Sequence, residues 1–341
     1  MLTCGIVAEF NPFHDGHAEL LKRVRNELHP DQIVVVLSQW FSSRGLPCLL
    51  SVEDKTRMAL EAGADLVIAL PAIYAMQSAD YFALYAIEAL KSAGVNMICF
   101  GSESADLDDL KEKAKRIESL EADVTTSLAR NAQSAGLALR PNDILAIQYI
   151  RHASSFGIDV HAFLRNQNLK SATAIRKDFF DGHTQKGDAL YHAHQSWSSY
   201  YPYLRMQLMM SSPATLRSFF LVEEGIEYRL KDCARNNDTF DGFLNDAISR
   251  TYSKARIQRT CMMILMQIDK TEMKDHQYFF DVIVLGMNQT GRELLKSLPK
   301  GTSLCSRWKD VPQWLAAYMH KEEQLYSLID GAPAKWSIVR L

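Results

Sequence analysis

Gly5-Ile6-Val7-Ala8-Glu9-Phe10-Asn11-Pro12-Phe13-His14-Asp15-Gly16-His17 decides the fold of this chain. The apolar run Ile6-Val7-Ala8 reads as a strand, and it stops at Asn11-Pro12, a pair that favours a turn. Ala18-Glu19-Leu20-Leu21 then opens an amphipathic run. Strand, tight loop and helix N-terminus in succession mark the place where an α/β sheet offers backbone N–H groups to an anion. Gly16 lets a ligand approach the backbone, and His14 and His17 can hydrogen-bond phosphate oxygens. This chemistry predicts a nucleotide-phosphate site. The same His-x-Gly-His spacing also suits two rings that only cap and line a helix. A metal site would need at least one more ligand, and no cysteine or carboxylate pairing in the sequence supplies it.

Working outward, the first half alternates short apolar runs with helical periods. Residues 32–37, 65–70 and 96–100 read as strands buried on both faces, and 158–164 as a fifth. Ser51 followed by Asp54 marks a helix start, and Ser78 to Ala93 is a helix closed by Gly94. Residues 104–136 are charged and helical, with the solvated face Lys111-Glu112-Lys113-Ala114-Lys115-Arg116, and Pro141-Asn142-Asp143 starts another helix. Such alternation predicts βαβ units and a doubly wound parallel sheet, with ligands outside the carboxyl ends of its strands. The opening motif, the loop around Trp40 and Gly101 then face one cleft. Ser171-Ala172-Thr173-Ala174-Ile175-Arg176 adds two hydroxyls at a helix N-terminus and a guanidinium fork suited to phosphate; by itself it could equally be a capped surface helix.

From about residue 181 the chain becomes Tyr- and Met-rich and helical, over 200–210, 216–221 and 240–266, with one strand-like run at 279–286. Two domains are expected, a nucleotide-binding unit over 1–180, which the resemblance described below implies to be the ATP-binding catalytic one, and a mainly helical one over 181–341. Arg250, Lys254, Arg256 and Arg259, with Tyr252 among them, are spaced for neighbouring helix faces, and Arg292, Lys296, Lys300, Arg307 and Lys309 form a second basic series. A basic face with aromatics suits RNA, and a solvated helix surface accounts for it equally well.

Composition sets the limits. A hydrophobic content of 47%, a charged content of 23% and a net charge of −2 describe a soluble globular protein, and they allow a local basic patch. The six cysteines lie far apart without C-x-x-C spacing, several in apolar runs, as expected of reduced buried thiols in a cytoplasmic protein. No signal peptide or membrane-spanning run is read from the sequence.

In order along the chain, GIVAEFNPFHDGH, SQWFSSRGLP, DKTRMALEAGADLVIALP, YAMQSADYFA, CFGSES, PNDILAIQYI, SATAIR and VLGMNQTGRELLK resemble the bacterial tRNA(Met) cytidine acetate ligase family, within the HxGH nucleotidyltransferase superfamily. The likeness covers most of the chain. It implies a nucleotidyltransferase fold and a two-step ligase. ATP and acetate give acetyl-adenylate and pyrophosphate, and the acetyl group then passes to the wobble cytidine of elongator tRNA(Met). It also implies an ATP site made of Val7, Ala8, Glu9, Phe10, Asn11, Pro12, Phe13, His14, Asp15, Gly16, His17, Ala18, Glu19 and Leu20, with Gly101, Asn142 and Arg176. His14, His17 and Arg176 would be the catalytic donors, and magnesium would ride on the ATP phosphates without a protein cage. Against the family pattern SGNFVQRGEP, Gln39 and Trp40 stand where a glycine and an asparagine are usual, which predicts a tryptophan reshaping the pocket beside the nucleotide. The segment Arg165 to Lys170 is shorter than is usual in the family. The alternatives are an adenylyltransferase of the same fold acting on a small molecule without RNA, and a non-catalytic nucleotide-sensing relative.

Overall fold

The structure is a computed structural model that describes residues 1–118, 136–137, 139–183, 187–331 and 336–341. Its first part runs β1 (Thr3–Ala8), α1 (Asp15–Leu28), β2 (Gln32–Ser38), α2 (Val52–Glu61), β3 (Leu66–Leu70), α3 (Ala72–Ala75), α4 (Ala79–Ser92) and β4 (Met97–Ser102). Then come α5 (Leu107–Glu118), α6 (Pro141–Ser155), β5 (Asp159–Leu164) and α7 (Ala172–Phe180). All five strands pair in parallel, in the order β5-β4-β1-β2-β3. The β-branched runs of β2 and β3 are fully buried, as a strand covered by helices on both faces must be. On α5 the charges face outward while Leu110, Ala114 and Ile117 turn in; the rest of the charged segment, 119–135, lies outside the described residues.

The sheet reverses direction between β1 and β4. Chain order proceeds to β2 and β3 on one side and to β4 and β5 on the other, and that reversal opens a crevice at the strands' carboxyl ends.

The second part contributes α8 (Trp197–Met210), α9 (Pro213–Arg217), α10 (Ile226–Asn236), α11 (Phe240–Ala247), α12 (Lys254–Leu265) and α13 (Lys270–Asp275). It continues with β6 (Val282–Met287), α14 (Gln289–Ser297), β7 (Leu304–Cys305), α15 (Gln313–Asp330) and β8 (Val339–Arg340). The stretch read as helical over 240–266 is two helices, because Ile248 leaves helical geometry and Ser253 caps a new start through Arg256 N–H. The 279–286 run does form a strand, but it joins the first sheet antiparallel to β3, so the sheet draws on residues from both sides of 180. Asp65 fixes that junction. Its side chain takes Arg25 at 2.6 Å, Ile33 N–H at 2.8 Å and the Asn288 amide at 2.9 Å. Gly291 packs so closely that a Cβ would stand 2.0 Å from the Asp65 carbonyl oxygen, so the GMNQTG stretch serves docking of α14.

All six cysteines are buried and unpaired. Among the described residues no helix is long and apolar enough to cross a membrane.

Candidate active site

β1 ends at Ala8, and the chain turns through Phe10, a buried residue held at φ 45° in the left-handed region. Such a conformation persists only where the surroundings impose it. Phe10 packs against the rings of Phe13 and His17, each at 4.8 Å between centroids. His14 is the N-cap of α1. Its Nδ1 accepts Gly16 N–H at 3.0 Å, while His17 Nδ1 accepts His14 N–H at 3.2 Å, a reciprocal capping box built from two imidazoles. The rings stack at 3.8 Å. Gly16 is needed for this arrangement, because a Cβ there would stand 2.9 Å from His14 Cε1.

His14 N–H and Gly16 N–H, early donors of the loop and helix, are thus taken by the two imidazoles, which leaves the ring Nε2–H groups as donors open to a ligand. With both Nδ1 atoms accepting, each neutral ring carries its proton on Nε2. Burial, reinforced by Arg165 and opposed by Asp15, lowers the His14 pKa to about 4. Burial, then His14, then Arg165 push His17 well below its ordinary value. Protonating Nδ1 would set one N–H against another, so the helix cap and a positive charge exclude each other.

α7 begins at Ser171, whose hydroxyl accepts Ala174 N–H. One turn on, Arg176 Nη1 donates to Asn11 Oδ1 at 2.6 Å and to the Pro47 carbonyl at 3.0 Å. No described ion pair includes Arg176, and its burial lowers its pKa without neutralising it. At the end of β4, Gly101 leaves room for the Arg165 stem, whose Cγ lies 3.0 Å from where a Cβ would stand. Glu103 takes the Asn142 side-chain amide and the Asp143 N–H, so the N-terminus of α6 is already occupied by a carboxylate.

These elements enclose a cavity of about 550 Å³ at the β1/β4 crevice. Of the residues named from the sequence, Val7, Ala8, Glu9, Phe10, Asn11, His14, Gly16, His17, Glu19, Leu20, Gly101, Asn142 and Arg176 line it; Pro12, Phe13, Asp15 and Ala18 do not. Its lining also includes Ser42, Ser43, Thr173 and four cations that the motifs did not single out, Arg23, Arg44, Arg165 and Lys170. Five cations with Arg176 against the two carboxylates of Glu9 and Glu19 make an anion-attracting cavity. The signal was present in the sequence only as scattered residues, since Arg23 sits in the middle of α1 and Lys170 just ahead of α7. Glu9 accepts Ser43 N–H, and Glu19 takes the Asn166 amide at 3.3 Å. Among the described residues no group of three or more His, Cys, Asp or Glu is placed to hold a metal ion.

Trp40 does not shape this cavity. Its side chain is buried against Tyr326 of α15, 4.7 Å between ring centroids, and neither it nor Gln39 is among the lining residues. The loop after β2 folds back at Ser43, so its first residues go into the core and only Ser42, Ser43, Arg44 and Leu46 reach the crevice. Trp40→Phe is therefore expected to weaken folding by roughly 1–2 kcal/mol through lost packing. Affinity for a nucleotide should stay within about twofold of the parent, and a tenfold change would put the ring at the cavity.

Of the basic residues considered for RNA, Arg250 and Lys254 are exposed. Arg256 pairs with Glu224 at 3.1 Å and lies over the Tyr252 ring, whereas Arg259 points to the cavity loop, reaching the Ser43 carbonyl at 3.4 Å. Burial and then Arg256 lower the Arg259 pKa to about 10. Arg292, Lys296, Lys300, Arg307 and Lys309 are all exposed, and none lines the cavity.

Comparison with known proteins agrees with this geometry. The family described as HIGH Nucleotidyl Transferase matches residues 1–335. A tRNA(Met) cytidine acetate ligase of Geobacillus sp. (strain WCH70) is 31% identical, with 88% of this chain and 87% of that protein covered. One of Limosilactobacillus reuteri (strain DSM 20016) is 32% identical with 89% of each covered. Thermotoga maritima TmcAL, solved bound with alpha-thio ATP, superimposes over the whole of both chains with a TM-score of 0.85 at 22% identity, a likeness of fold. The chain belongs to the HIGH nucleotidyl transferases and, among them, to the family of the tRNA(Met) cytidine acetate ligases.

Proposed function

We propose that this protein activates acetate with ATP as acetyl-adenylate and then acetylates the wobble cytidine of elongator tRNA(Met) to N4-acetylcytidine. The observation that carries the first step is the pair of neutral imidazoles held as Nε2–H donors beside Arg176. An acetate oxygen attacks the α-phosphorus, the α–β bridging bond breaks, and pyrophosphate leaves with the charge that develops on the bridging oxygen. Donors fixed before the reaction stabilise that charge more than they stabilise the ground state. Val7 to Leu20, Gly101, Asn142 and Arg176 form the ATP site in this reading. Magnesium would come on the nucleotide, because the two carboxylates of the cavity, Glu9 and Glu19, already accept protein donors.

In the second step the cytidine N4 attacks the acetyl carbon, AMP leaves on its phosphate oxygen, and N4 loses a proton. An anticodon loop presents that base edge without opening a duplex. Residues 1–180 supply the ATP chemistry and the helical part over 181–341 the RNA contact, with Arg250, Lys254, Arg256 and Arg259 as its basic residues. Relatives named for tRNA(Met), cytidine and acetate support this reading.

The test has two stages. Acetate-dependent exchange of labelled pyrophosphate into ATP is expected first, and then a mass gain of one acetyl group on elongator tRNA(Met). Exchange without RNA acetylation would replace this reading with a small-molecule adenylyltransferase. ATP binding without exchange under any carboxylate would leave a nucleotide sensor.

A further inference from the structure

Ser42-Ser43-Arg44-Gly45 is a tight turn in which Gly45 N–H donates to the Ser42 carbonyl at 2.8 Å and Ser42 N–H to the Leu46 carbonyl at 2.9 Å. Four separate elements hold it. Glu9 accepts Ser43 N–H from the β1 side, and Arg176 of α7 reaches the Pro47 carbonyl at 3.0 Å. Trp197 of α8 donates to the Gly45 carbonyl at 3.0 Å, and Arg259 of α12 reaches the Ser43 carbonyl. Gly45, at φ 69°, is pressed so closely on α12 that a Cβ would stand 2.8 Å from Arg259 N. A side chain at this position does not fit, so the close approach of the turn to α12 needs glycine.

On this anchored turn sits Arg44, exposed, lining the cavity, and without a hydrogen-bond or ion-pair partner among the described residues. Three other cavity cations differ: Arg23, Arg165 and Lys170 each have a carboxylate, from Glu27, Glu103 and Asp178. A guanidinium carried on an anchored turn and left unpaired is free to take an anion from outside without giving up a protein partner. The direction of approach selects which anion. The turn rests on α12, the helix that carries Lys254 and Arg256, and Arg44 lines the same cavity as His14 and His17, so it joins that helix to the cavity.

We propose that Arg44 grips a backbone phosphate of the RNA acceptor as its target base enters the cavity. The inference rests on the tRNA-acetylation reading above and adds a specific contact to it.

Arg44→Ala tests it, with an unmodified elongator tRNA(Met) transcript as the probe. Having no partner, Arg44 should be removable with no change in the urea unfolding midpoint. kcat/KM for the transcript is expected to fall roughly tenfold to a hundredfold, mainly through KM, as for one lost charge-assisted bond. The salt dependence of transcript binding should flatten by about 0.7, the single-strand value for one phosphate. Acetate-dependent pyrophosphate exchange should fall much less than transcript kinetics do, since Arg44 adds only long-range charge to the cavity. Arg44→Lys should recover part of the loss, since a phosphate accepts a point charge as well as a fork. A matching rise in KM for ATP would overturn the proposal in favour of a nucleotide contact, and unaltered transcript kinetics would reduce Arg44 to a solvated side chain. A parent protein that exchanges pyrophosphate yet never acetylates the transcript fails before any variant is made, so that failure belongs to the underlying reading.

Discussion

Replacing His14 with Asn and His17 with Gln should lower acetate-dependent pyrophosphate exchange by about a hundredfold to a thousandfold, the range for removing donors aimed at developing charge. These substitutions separate the two roles that the His-x-Gly-His spacing leaves open. Asn is among the preferred N-cap residues and Gln suits the third position of a capping box, so the start of α1 keeps its hydrogen bonds. What disappears is the pair of rigid imidazole Nε2–H donors; the carboxamide N–H groups that replace them sit on different stems and are no longer held by ring stacking. Folding stability at pH 7 should stay within about 1 kcal/mol of the parent. An exchange rate near the parental one would mean that the rigid placement of the ring donors is not needed for the chemistry.

The same pair predicts a pH dependence with a definite sign. In the unfolded chain both rings take up protons near pH 6.5, while in the folded protein His14 resists until about 4 and His17 resists further. Between those values the unfolded state binds more protons, so stability declines as pH falls from about 6.5 toward 4. Burial pushes Glu88 and Glu323 up to about 7, and these carboxyls act in the opposite direction. The difference between parent and double variant across that window isolates the histidine contribution, which the variant should lack.

Much of the site could be read from local sequence because its parts are local. A strand stopped by Asn11-Pro12, a helix begun beside His14, and a hydroxyl-capped helix carrying Arg176 are each written in a dozen residues or fewer. A parallel sheet with ligands at its carboxyl ends followed from the alternation of strands and helices, but the strand order that opens the crevice between β1 and β4 is set by long-range pairing. Where the reading erred, a distant partner decided. Trp40 goes into the core because Tyr326 waits there, and nothing near residue 40 announces a helix at 313–330. The run at 279–286 has strand character, but strand character does not name its neighbour; Asp65 and Gly291 fix that choice. Arg259, one of the charges on the basic helix, also reaches the Ser43 carbonyl of the cavity loop, a contact that nothing near it in sequence announces.

Lys55→Met should destabilise the fold by about 3 kcal/mol while leaving nucleotide affinity nearly intact in the protein that remains folded. A lysine in a motif-rich stretch just past a phosphate loop invites the reading of a phosphate ligand. Its surroundings say otherwise. Lys55 is wholly buried and absent from the cavity wall. Its ammonium donates to the carbonyls of Ser38 at 2.6 Å and Gln39 at 2.5 Å, and reaches Glu9 O and Cys48 Sγ at 3.3 Å each. One side chain thus ties the end of β2 to the loop that follows β1. Methionine matches its length and supplies no donor, leaving two short, charge-assisted bonds unmade in the core, each worth about 1.5–3 kcal/mol. Removing a buried ammonium also relieves its desolvation, the same burial that lowers the Lys55 pKa, and this offsets part of the loss. Urea unfolding with ATP binding measured alongside checks both halves. A large loss of ATP affinity at unchanged stability would move Lys55 to the phosphates and take the floor out from under the turn that carries Arg44.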